Sequence, residues 1–158
     1  MLVALAAIPC VWLSWKLETK RRERAFIAAI HKKGGYAWYD WQVTRNENPA
    51  PFERFVDDKK AQPGTPWICK LLGDDFFANV KVVSFWGVSE ADDTDVVQLT
   101  RFRELACLDL HGTRVTNVGL MYLTSLTRLR DLSVNDTEVT DAGVAKLQEA
   151  LPKCKIVR

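Results

Sequence analysis

The chain writes one pattern twice. "LHGTRVTNVGLMYL", from Leu110 to Leu123, and "VNDTEVTDAGVAKL", from Val134 to Leu147, align at an offset of 24 residues. Leu110 falls on Val134, Thr113 on Thr137, Val115 on Val139, Thr116 on Thr140, Gly119 on Gly143, Leu120 on Val144 and Leu123 on Leu147. Upstream, Leu105 falls on Leu129 and Leu108 on Leu132. What recurs is a set of packing positions and turn residues, with no reactive constellation among them. A unit of this length cannot cover its own apolar face, so copies must stack on one another.

Each repeated position has a physical reason. Residues two apart on a strand point to one side, so Leu108 and Leu110 face a core together. The hydroxyls of Thr113 and Thr137 can satisfy turn backbone groups. Thr116 and Thr140 precede a helix and suit its N-cap, and Asn117 and Asp141 add favourable groups at its positive end. Gly119 and Gly143 allow a close approach to the neighbouring turn. A degenerate unit begins at Val80, where Val83 and Phe85 take the positions of Leu108 and Leu110. Val96, Leu99 and Phe102 take those of Leu120, Leu123 and Leu126. Its loop "GVSEADDTD" is longer by one residue, and Ile156, 24 residues after Leu132, starts a fourth strand.

The pattern L-x-x-L-x-L at Leu105, Leu108 and Leu110, and again at Leu129, Leu132 and Val134, resembles the leucine-rich repeat. It is most similar to bacterial membrane-anchored proteins whose units read LxxLxLxxTxVTDAGLxxLxxL. Thr113 and Thr137 depart from the general repeat, which has asparagine there, and Asn117 from the aspartate of the subtype. The resemblance implies an α/β solenoid of about three and a half units over residues 80–158, with an N-terminal α/β cap and an N-terminal hydrophobic helix.

The N-terminal half divides by composition. Residues 1–15, "MLVALAAIPCVWLSW", carry no charge, yet a helix of that length reaches only about 22 Å against a hydrocarbon core of about 30 Å. Charge follows the apolar run instead of preceding it, which is the reverse of a cleavable leader. Seven Lys/Arg and two Glu lie between Lys16 and Lys33 in a chain of formal net charge +2. The expectation is a hydrophobic anchor at 1–15 and a basic amphipathic helix at 16–35, with membrane lipid contacted through residues 1–24. The charge rule places the repeats on the cytoplasmic side. "YAWYDWQV", Tyr36 to Val43, alternates as a strand should and opens the cap region 36–79. Within it, residues 44–65 read as an exposed loop, and "PWICKLLG" as a short helix begun by Pro66. Asp74 and Asp75 read as a helix cap.

Function is less legible. The residues between core leucines face a concave side, and Trp86, Asp109, His111, Asp131, Ser133 and Asn135 are the candidates for binding a protein or peptide. His111 has no companion nucleophile or second ligand by spacing, so no catalytic, cofactor-binding or metal-binding residue is assigned and no cofactor is expected. Four cysteines, Cys10, Cys69, Cys107 and Cys154, lack metal spacing and read as free or packing thiols. A net charge of +2 does not by itself call for nucleic acid, and none is expected. The chain therefore reads as a non-enzymatic interaction module. The alternatives are a small-molecule or catalytic accessory site within 36–80, and a purely structural envelope protein.

Overall fold

The computed structural model describes residues 2–42, 71–72, 75–76 and 78–158, with side chains from Val11 onward. A long helix, α1 (Leu2–Lys32), leads into β1 (Tyr36–Tyr39). Then β2 (Val80–Ser84), α2 (Asp93–Leu99), β3 (Cys107–Asp109), α3 (Asn117–Tyr122), β4 (Asp131–Ser133), α4 (Asp141–Ala150) and β5 (Lys155–Val157) alternate. The strands form one five-stranded sheet in chain order. β1 is antiparallel to β2, and β2 to β5 are mutually parallel. The 24-residue offset is the strand register itself, since Leu108 pairs with Leu132 and Leu132 with Ile156.

One apolar layer lies between the sheet and its helices. Val83 and Phe85, Leu108 and Leu110, and Leu132 and Val134 enter it from successive strands, all buried. Val96 and Leu99, Leu120, Leu123 and Leu126, and Leu147 meet them from the helical side. The helix starts are tied to each other. Asp93 accepts from Thr116 N–H at 2.8 Å and from its hydroxyl at 2.7 Å, and Thr116 Oγ1 accepts from Val118 N–H at 3.1 Å. Gly119 leaves room for this, because a β-carbon there would collide with the Asp93 carboxylate. The hydroxyls of Thr113 and Thr137 each donate to the carbonyl three residues back, at 2.7 Å, closing the turns after β3 and β4.

Two expectations are corrected. The leucine-rich-repeat solenoid gives way to a mixed α/β fold around a single, mostly parallel sheet. α1 and the antiparallel β1 share its core, with Ile27 and Ile30 buried in the cluster that holds the strand leucines. α1 runs unbroken from Leu2 to Lys32, so residues 1–15 and the basic stretch share one helix. No helix among the described residues is long and apolar enough to cross a membrane, so the single N-terminal anchor and the orientation derived from it are not supported.

The basic run has a different use. Lys20 is buried and donates to Glu23 at 2.9 Å and to Ala78 O at 2.7 Å. Arg24 Nε donates to Asp75 at 2.7 Å, and Lys33 reaches Asp95 at 2.7 Å. Buried charges persist only when paired in this way, so these cations dock α1 against the rest of the chain. Asp75 is accordingly an ion-pair partner and not a helix cap. β1 stops at Tyr39, short of the expected strand end at Val43, and a 3-10 turn follows at Asp40–Gln42. The loop 44–65 and Asp74 lie outside the described residues, as does nearly all of the 66–73 helix.

Candidate interaction surface at the carboxyl ends of the strands

Strand pairing sorts the side chains of the sheet's other face into rows. Directly paired residues point the same way. One row is therefore Trp38, Val82, Cys107, Asp131 and Lys155, and the next is Tyr36, Ser84, Asp109, Ser133 and Val157. Two residues further along, where the strands end, stand Trp86, His111 and Asn135.

The middle of the second row is structural. Asp109 and Ser133 are buried, at 3% and 4% exposure, where exposed side chains were expected. The row's three middle members, Ser84, Asp109 and Ser133, each hold the residue that follows by two. Ser84 Oγ accepts from Trp86 N–H at 3.3 Å, and Asp109 Oδ1 accepts from His111 N–H at 3.0 Å. Ser133 Oγ lies 3.3 Å from the donating Asn135 side-chain amide. Ser84 also donates to Asp109 Oδ2 at 3.4 Å. At the ends of β2 and β3 these short polar side chains thus satisfy the backbone where the strand gives out, while Ser133 holds a side chain. Asp131, half-buried in the first row, accepts from Cys107 Sγ at 3.5 Å.

The rim is the open part of this face. Trp86 is 68% exposed and its ring packs edge-on against His111, with centroids 6.0 Å apart. His111 Nε2 lies 3.6 Å from Asp136 Oδ2, a contact that becomes an ion pair only when the imidazole is protonated. The backbone turns at equivalent points after each rim residue. Gly87 has φ 77°, Gly112 φ 71° and Asp136 φ 52°. A non-glycine residue with positive φ is uncommon, and aspartate is among those that tolerate it. Tyr36, exposed at the start of β1, stacks on Trp38 at 5.7 Å and adds a second aromatic group beside Ser84.

Trp86, His111 and Asn135 stood among the sequence candidates for this surface, whereas Tyr36, Trp38 and Asp136 did not. The alternation of Tyr36 and Trp38 with Ala37 and Tyr39 was the available signal, since Ala37 and Tyr39 pack on the core. The direction of β1 was what had to be known to use it.

Chemically the surface offers aromatic faces, an imidazole, an amide and a carboxylate on a rigid backbone. The two described thiols, Cys107 and Cys154, lie toward the amino ends of the strands, away from this surface. Cys107 and Cys154 are buried, and desolvation, followed by the Asp131 charge, pushes the Cys154 thiol up to about 11. Among the described residues no group of three or more metal-ligating side chains comes together. No family model matches the chain, and no curated protein matches it either.

Proposed function

We propose that the chain is a non-enzymatic interaction module that takes up a protein or peptide segment across the rim of Tyr36, Trp86, His111, Asn135 and Asp136. The observation that carries this reading is Trp86, a tryptophan two-thirds exposed yet held edge-on to His111 at the end of a fixed strand. Tryptophan and tyrosine on a rigid surface offer large contact area at little cost in side-chain entropy, which is why they dominate binding energy at interfaces. Ligands of parallel sheets also gather outside the carboxyl ends of the strands, where Trp86, His111 and Asn135 stand.

Site-specific photocrosslinking tests the reading. A photoreactive side chain at position 86 should trap a discrete protein species, whereas the same group at Met121, exposed on α3, should not. Equal labelling from both positions, or none from position 86, contradicts it.

A further inference from the structure

The near-neutral net charge conceals a separation imposed by topology. In a parallel sheet every strand-to-helix turn lies at one end and every helix-to-strand turn at the other. The strand-to-helix turns, "WGVSEADD", "HGTRVTN" and "NDTEVTD", hold Glu90, Asp92, Asp93, Asp136 and Glu138 as well as Asp141, against the lone Arg114. The helix-to-strand turns read "TRFRELA", "TRLR" and "PKCK". They bring Arg101, Arg103, Arg128, Arg130 and Lys153 to the amino end, one turn per strand, at a strand spacing of about 4.8 Å.

Glu104 is the one carboxylate in those first two turns, and it is occupied. Lys81 and Arg128 both reach its Oε2 at 2.9 Å, and the Lys81 hydrogen bond comes first among the causes that lower its pKa. Arg103, Arg130 and Lys153 are exposed and have no carboxylate partner among the described residues. Lys155 and Asp131, which begin β5 and β4, sit directly opposite each other. The line continues onto α1, where Arg101 reaches the carbonyl of Arg22 at 3.5 Å and lies over the Phe26 ring. Arg22, 71% exposed along its side chain, is already paired with Glu18 at 3.0 Å and adds no surplus charge.

We infer that this amino-end edge is a binding site for the phosphate backbone of a nucleic acid. It is distinct from the rim and independent of the peptide-recognition reading. A row of surplus cations along one edge matches a row of phosphates, and a basic stripe is the electrostatic footprint of such binding. The predominance of arginine fits as well, because the planar guanidinium grips phosphate with two parallel hydrogen bonds where an ammonium offers a point charge. Phosphate contacts carry no sequence information, so this binding is independent of sequence and driven by counterion release.

The test is fluorescence anisotropy of a labelled, mixed-sequence single-stranded oligonucleotide titrated with the full chain at several salt concentrations. Binding should weaken with salt at a log–log slope of roughly −2 to −4, about 0.7 per neutralised phosphate. R103S/R130S/K153S should bind at least about tenfold more weakly and flatten the slope by roughly 2. W86A should bind like the parent. Circular dichroism checks that the triple variant folds, and if it does not, the single variants should each flatten the slope by about 0.7. A flat salt dependence, or undiminished binding by these variants, overturns the inference. So does capture of polyglutamate or phosphatidylserine vesicles through the same residues when the oligonucleotide is ignored.

Discussion

The side-chain amide of Asn117 clamps the backbone and hydroxyl of Thr140. Its Oδ1 accepts from Thr140 N–H at 3.0 Å, and its Nδ2 donates to Thr140 Oγ1 at 2.9 Å. One unit earlier Asp93 holds Thr116 from the same position with the reverse hydroxyl polarity, since there the threonine donates. Thr140 Oγ1 instead accepts twice, from Asn117 and from Gly143 N–H at 3.3 Å. Both arrangements link a helix start to the next one, and both need a glycine two residues further on.

That requirement makes Gly143→Ala informative. A β-carbon at 143 would overlap Asn117 Oδ1. Alanine normally gains about 1 kcal/mol over glycine inside a helix, but here displacing the clamp should outweigh the gain and leave a net loss of about 1–2 kcal/mol. Urea denaturation of Gly143→Ala, Asn117→Ser and the double variant measures the coupling. The double variant should lose less than the sum of the singles.

The core is thin enough for one side chain to matter. Leu132 is 1% exposed and pairs across both neighbouring strands, with Leu108 and Ile156. Leu132→Ala should cost about 2–5 kcal/mol through lost transfer energy and an unfilled cavity, read as a lower denaturation midpoint with the cooperative slope retained.

Trp86→Ala should behave in the opposite way. Its exposed ring touches His111 at the rim and is absent from the buried core, so stability should change by no more than about 0.5 kcal/mol. Asp136→Gly should hold stability or raise it slightly, because glycine meets the φ of 52° without a β-carbon. Loss of more than about 1 kcal/mol in either variant would mean that the rim is part of the fold's support.

Alkaline titration probes the α1 docking site. Desolvation first, then the charges of Asp75 and Glu23, raise the Tyr39 pKa to about 12, with Arg24 opposing. The folded state therefore holds this proton more tightly than the unfolded chain does. Stability from this group is intact below the ordinary tyrosine value of about 10 and declines as pH rises toward 12. Ultraviolet difference spectra should show a tyrosinate step near pH 12, and Tyr39→Phe should remove that step and soften the alkaline decline.

How much of this could be read in advance follows from the range of each interaction. The offset between Leu108 and Leu132 is local periodicity, so strand register and the buried leucines were visible in the sequence. The sheet's closure was not, because it depends on β1 running antiparallel and on Ile27 and Ile30 entering the same core. The basic run misled for a related reason. Arg24 and Lys33 find Asp75 and Asp95 at separations of 51 and 62 residues, and no local pattern reveals such partners. On the open face, alternation correctly separated core from non-core positions at Asp109 and Ser133. It could not show that these short side chains turn to hold the strand ends, leaving exposure to the residues two further on.

The rim reading is tested most directly by selecting displayed peptides against the full chain and following the winners by NMR. Selected peptides should shift the Trp86 indole and His111 imidazole resonances before any others, and should lose at least about tenfold in affinity for Trp86→Ala. Peptides that bind Trp86→Ala as tightly as the parent, or that shift resonances elsewhere and leave Trp86 and His111 unmoved, would contradict it.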